Sequence, residues 1–166
     1  MLRDAGHFLL LHAEGRRSIG QFGPAHWMRR FDRYDPRTLQ PDDQKLLTAL
    51  HAALFAQGNA LRGASVCKAA VHGDFVPVNL NADAGGVYAF DIQGTAIMPL
   101  SFDIARFFAW LAAEADQPPG PHWLGVAEAD RAAFLVPGLP DAGEHPGILP
   151  FLLGHQIAGR LHERAN

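Results

Sequence analysis

The segment His72-Gly73-Asp74-Phe75-Val76-Pro77-Val78-Asn79, with Asp91 twelve residues further on, contains residue types that can act together on a phosphate. Val78 to Asn81 and Val87 to Ile92 read as strands, and Ala82-Asp83-Ala84-Gly85-Gly86 between them has the composition of a hairpin turn. A turn centred on Ala84 sets Asn79 opposite Ala89, so Asp91, two residues on, points to the same face. Diagonal neighbours of this kind lie roughly 7–8 Å apart at Cα. An amide oxygen and a carboxylate so placed can reach a shared hard cation, whose ligands lie at about 2.0–2.1 Å for magnesium. Asp74 precedes the first strand in a loop held by Gly73 and Pro77, where its carboxylate can face whatever the metal binds. A carboxylate that accepts a hydroxyl proton, beside an Asn and an Asp that hold cations, is the equipment of phosphoryl transfer. The blander account makes Asp74 and Asn79 turn residues and Asp91 a strand end.

The flanking elements must position that loop. Phe8-Leu9-Leu10-Leu11-His12 reads as a buried strand breaking at Gly15, followed by a loop to Pro24. The glycines at 15, 20 and 23 match no phosphate-cradle spacing. Trp27, Met28 and Phe31 suggest a short helix before the breakers Asp35-Pro36 and Gln40-Pro41. Pro41-Asp42-Asp43 opens a longer helix with a stripe at Leu46, Leu47, Leu50 and Leu54, ending near Gly58. His51 beside that stripe reads as structural. Ala69-Ala70-Val71 feeds the chemical segment, and Gln93 to Pro99 reads as a loop. Ser101 can cap a helix whose Ile104, Phe107, Phe108 and Leu111 fall on one face. Pro118-Pro119-Gly120-Pro121 ends this region, and further helices are expected around Ala127–Leu135 and Phe151–Glu163, separated by the breaker-rich Pro137–Pro150. The leucine and phenylalanine stripes need a shared interior, so the hairpin is expected against helices 42–57 and 103–115.

With 166 residues and 18.0 kDa, the chain is expected to form one domain. At 48% apolar and 19% charged residues it can bury a core. Fourteen basic against 17 acidic residues give −3, which argues against a nucleic-acid or membrane surface held by bulk charge. Cys67, the single cysteine, can make no internal disulfide and reads as a buried small hydrophobe in a reducing compartment. The longest apolar stretches are too short to span a bilayer, and a cytoplasmic protein is expected.

Val71 to Leu80 resembles the catalytic loop of the aminoglycoside phosphotransferase and choline kinase-like family, relatives of the protein kinases, and the likeness runs over most of the chain. It implies Asp74 as catalytic base and Asn79 as a magnesium ligand. Phe90-Asp91 is similar to the family's second metal motif, implying Asp91 as the main magnesium ligand. Pro99-Leu100-Ser101-Phe102-Asp103-Ile104-Ala105 resembles the segment whose Asp braces the catalytic loop, so Asp103 and His72 are implied supports, with His72 close enough to the base for a part in catalysis. The implied fold is α+β and mostly helical: the C-terminal lobe of a protein kinase-like fold, residues 1–166, with 1–15 as a hinge-like strand and 68–92 as catalytic loop and metal-binding hairpin. Mg2+, ATP and a small-molecule hydroxyl acceptor are implied with it.

The family's N-terminal nucleotide lobe has no counterpart in this sequence. Lys45 falls in a helix and Lys68 just upstream of the catalytic loop, so neither lysine serves as the nucleotide-lobe lysine. Three explanations are open: a fragment of a longer kinase, a nucleotide lobe supplied in trans, or a chain that no longer uses ATP. The function expected is a small-molecule kinase half; the alternative is a non-catalytic kinase-like binding module, and a metal-dependent phosphohydrolase ranks last for want of carboxylates. The surface near Phe8 to His12 and Phe90, left without a covering lobe, is expected to drive self-association. Glu114, Asp116, Glu128 and Asp130 lie where the family recognises acceptors and fit an amine, although a solvated acidic face accounts for them as well.

Overall fold

A computed structural model describes residues 1–31, 37, 39–93, 96–114, 116 and 120–163. The breakers Asp35-Pro36 and Pro118-Pro119 lie outside these residues. The chain is α+β and mostly helical. In order it forms α1 (Leu2–Ala13), β1 (Ser18–Gln21), α2 (Ala25–Phe31), α3 (Pro41–Ala60), β2 (Ser65–Ala70), a 3-10 turn (Pro77–Asn79), β3 (Leu80–Asp83) and β4 (Gly86–Ala89). Then come β5 (Ile97–Pro99), α4 (Ser101–Glu114), β6 (His122–Trp123), β7 (Val126–Ala127), α5 (Glu128–Phe134) and α6 (Ile148–Glu163).

The Phe8 run is helical where a strand was expected. Four apolar residues in a row do not separate the two periods, but the buried Ala5, Leu9 and Ala13 recur every fourth residue and face α5 and β4. The expected loop to Pro24 holds β1, which pairs antiparallel with β2 from Ser18↔Lys68 to Gln21↔Ser65. The expected loop at 93–99 ends in β5, which pairs with the other edge of β2.

α3 starts as expected: Pro41 occupies the first turn, where a missing N–H costs nothing, with Asp42 and Asp43 beside it. Its apolar stripe is narrower than the sequence suggested. Leu47 and Leu54 are buried, whereas Leu46 is 54% exposed. In α4 the stripe holds in full, and Ile104, Phe107, Phe108 and Leu111 are all buried. Ser101 is the first residue of that helix, not its cap, and its hydroxyl donates a hydrogen bond to Glu144. The shared interior of α3 and α4 is filled by α6, which packs on both, while the hairpin's main helical neighbour is α1. Phe22 and Phe151 meet edge to face, and Phe107 and Phe134 pack with ring centroids 4.6 Å apart.

α1 and α5 approach so closely at Gly6 that a Cβ there would lie 2.1 Å from the Phe134 carbonyl oxygen. Alanine for glycine inside a helix ordinarily stabilises by about 0.5–1 kcal/mol. Gly6→Ala is expected to do the reverse and destabilise by about 1–3 kcal/mol, because the added methyl must push two backbones apart. Urea unfolding of the two proteins checks this, and an unchanged or raised midpoint for Gly6→Ala would remove the close approach from the account.

Candidate active site

The loop between β2 and the hairpin is fixed from below by one buried carboxylate. Asp103, in the first turn of α4, is fully buried and accepts the backbone N–H of His72 at 2.6 Å and of Gly73 at 3.1 Å. Burial pushes its pKa up to about 6, opposed by those two donors and by Arg106. Gly73 has φ +88°, a left-handed conformation that turns the loop outward just before Asp74 and that a side chain rarely adopts.

His72 is also fully buried. Its Nδ1 accepts the Asp74 N–H at 3.3 Å, which defines a neutral ring protonated at Nε2. Burial holds its pKa below the usual histidine value, and His12, with ring centroid 6.4 Å away, adds to that. The imidazole therefore supports the backbone of Asp74. Phe75 continues into the core, between Phe8 of α1 and Phe107 and Phe134 of α4 and α5.

Asp74 lies at the surface of this arrangement with its carboxylate held from both sides. Asn79 Nδ2 donates to the Asp74 backbone carbonyl at 2.9 Å and to Asp74 Oδ2 at 3.0 Å. Both neighbours of that nitrogen are acceptors, so the amide orientation is set and Asn79 Oδ1 is turned away from Asp74. Arg106 closes the other oxygen: its Nε and one terminal nitrogen lie 2.7 and 2.5 Å from Oδ1. Arg106 was not among the residues singled out in the sequence. Its position one helical turn after Asp103, on the same face of α4, is the signal that could have found it.

The hairpin exists, but its register differs from the expected one by a residue. Leu80 pairs with Ala89 and Asp83 with Gly86, so Asn79 falls in the 3-10 turn before the strand. Asp91 lies past the end of β4 at φ +57°. Strand alternation therefore sets the direction of neither side chain. They are still brought close in the backbone, because the Phe90 N–H donates to the Asn79 carbonyl at 3.1 Å. Asp91 is exposed, its Oδ2 accepts from Gln93 at 3.3 Å, and the Gln93 N–H ties back to the His72 carbonyl at 2.9 Å.

Among the described residues no three His, Cys, Asp or Glu converge on a metal position. The oxygens that could hold a cation are Asn79 Oδ1 and the Asp91 carboxylate, a hard donor pair suited to Mg2+. Such a pair suffices where phosphates and water complete the shell. The two lysines lie elsewhere: Lys45 pairs with Asp42 on exposed α3, and Lys68 of β2 pairs with Ser18 and runs its side chain over Gly20. The acidic group is partly neutralised, Glu114 by Arg160 and Glu128 by Arg131, both at 2.9–3.1 Å.

Neither a protein-family model nor a curated protein matches the chain. Solved structures do. A glucosamine kinase in complex with glucosamine, ADP and inorganic phosphate superposes with TM-score 0.67 at 20% identity, covering 99% of this chain and 50% of that one. Two further crystal forms of glucosamine kinase give 0.69 and 0.68 at 19% and 20% identity. The likeness is one of fold, and the chain spans about half the length of those kinases. Among the described residues no helix is long and apolar enough to cross a membrane.

Asp103 yields a pH test with a definite sign. Its folded pKa of about 6 exceeds the ordinary 3.8, so the folded state binds its proton more tightly than the unfolded state does. The stability it contributes is greatest below pH 3.8 and declines as pH rises to about 6. Asn removes that titration and offers one acceptor where two N–H groups point, so Asp103→Asn should be less stable throughout. The gap to wild type should narrow from pH 4 to pH 7. Urea titrations across that range check it, and a widening gap contradicts the burial-driven shift.

Proposed function

We propose that this chain is the catalytic and acceptor-binding half of an ATP- and Mg2+-dependent phosphotransferase of the aminoglycoside phosphotransferase and choline kinase-like type, acting on a hydroxyl of a small molecule. Asp74 is its base, Asn79 and Asp91 hold the metal, and His72 and Asp103 support the loop. The observation that carries the reading is the fixing of Asp74 from two directions: Asp103 holds the backbone just before it, and Asn79 takes its carboxylate. Phosphoryl transfer is mostly positioning and charge neutralisation, and a surface carboxylate immobilised beside cation ligands answers to both. Magnesium would supply the neutralisation of the nucleotide phosphates. Asp74 accepts the acceptor's hydroxyl proton, and Asn79 keeps its side chain in place while it does so.

ATP and the unpaired Cys67 suit a cytoplasmic setting. An amino sugar belongs in the acceptor panel because the similar solved structures include a glucosamine complex. The nucleotide-binding half is proposed to dock on α1 and the hairpin, whose Leu11, Tyr88 and Phe90 are each more than half exposed. A second copy of this chain would cover the same face in its absence. The contact of Arg106 with Asp74 favours one other reading, a kinase-like module that binds without turnover.

The chain alone should bind Mg2+ weakly and leave ATP unturned. Joined to a nucleotide-binding half, in cis or in trans, it should transfer the γ-phosphoryl group to one member of a panel of amino sugars, aminoglycosides and amino alcohols. Asp74→Ala should lower that transfer by about 10²–10⁴-fold without unfolding the protein. Near-normal turnover by the Asp74→Ala enzyme would refute the base. Absence of transfer by every assembled form would leave the binding module as the better reading.

A further inference from the structure

We infer that Arg106 keeps Asp74 from becoming a metal ligand, reserving its carboxylate as a hydrogen-bond acceptor for the substrate. The inference rests on the reading of Asp74 as base and adds a positioning residue to it. A carboxylate, an amide oxygen and a second carboxylate close to one another are what a divalent cation binds. Asp74 Oδ2 accepts the Asn79 side-chain N–H at 3.0 Å, so the carboxylate lies directly beside the residue whose amide oxygen is a cation donor. Asp74 is 21% exposed, so a cation can reach it. A cation seated there would occupy the lone pairs that must accept the hydroxyl proton.

Arg106 opposes this in two ways. Its guanidinium places two nitrogens on Oδ1, at 2.7 and 2.5 Å, occupying that oxygen's lone pairs. Its positive charge cancels that of Asp74, so a divalent ion gains little there and is left to Asn79 Oδ1 and Asp91. The geometry is imposed by α4, which carries Arg106 one turn after Asp103, the residue that holds the loop backbone.

Mn2+ titrated into the full 166-residue chain, followed by electron paramagnetic resonance, separates the two roles. Arg106→Met keeps the apolar stem and removes the charge. It should bind Mn2+ about fivefold more tightly than wild type, or gain binding where wild type has none measurable. Arg106→Lys, which keeps the charge, should stay within about twofold of wild type. The double variant Asp74→Asn with Arg106→Met should lose the gain. Circular dichroism establishes that each variant is folded, and if Arg106→Met is not, the inference rests on Arg106→Gln under the same criterion. Unchanged or weaker Mn2+ binding in the folded charge-removed variant overturns it, as does a gain that survives Asp74→Asn. Because the readout is metal affinity, failure of the assembled enzyme to transfer phosphate would refute the proposed function and leave this result standing.

Discussion

The contact on which the site depends is that between the buried Asp103 carboxylate and the backbone N–H groups of His72 and Gly73. A charge removed from water is tolerated only with donors on it, and here the donors belong to the loop that must be held. The two needs are met by the same pair of hydrogen bonds. Removing the carboxylate would leave the buried His72 N–H and the part-buried Gly73 N–H without an acceptor, a cost of about 1–3 kcal/mol for the buried one. Gly73 makes the arrangement possible, because its left-handed φ lets consecutive N–H groups point at one acceptor.

One face of α4 extends this control. Asp103, Arg106 and Phe107 follow at i, i+3 and i+4, so they share a side of the helix. The first holds the loop backbone, the second holds the Asp74 carboxylate, and the third packs against Phe75 in the loop itself. Phe75 in turn stacks on Phe8, and α1 lies along β4, which leads to Asp91. The aromatic cluster thus relates Asp74 to the hairpin through packed rings, and α6 packs on α4. Since close-packed interiors transmit displacement, a change in the Phe107 layer reaches Asp74 without any polar link.

Helix existence was legible in the sequence wherever apolar residues recurred at helical spacing, as in α3 and α4. It was not legible at Phe8 to Leu11, where an unbroken apolar run fits both periods and the deciding residues, Ala5 and Ala13, are small. β1 and β5 were hidden for a related reason: strands of four and three residues carry too little alternation to stand out from a loop. In the hairpin the composition of the turn was plain but its register was not. Moving the turn by one residue transfers Asn79 from a strand into a 3-10 turn and leaves Asp91 in a left-handed conformation beyond the pairing. The residues Asp74 and Asn79 were read from local spacing, and Asp103 from the resemblance of its segment to the kinase-like family. The Arg106 contact depends on where α4 lies against the loop, which spacing alone does not state.

The charge arrangement also accounts for how the loop between β2 and the hairpin keeps its shape. Two or three uncompensated carboxylates facing one point would repel one another until a cation arrived, and the loop would depend on that ion for its shape. Here each acid has a local answer. Asp103 takes two backbone donors, Asp74 takes Arg106 and Asn79, and Asp91 takes Gln93 at the solvent edge. All of these partners lie on the loop, on the segment that follows the hairpin or on α4. The geometry around Asp74 is therefore held by the chain's own backbone and side chains.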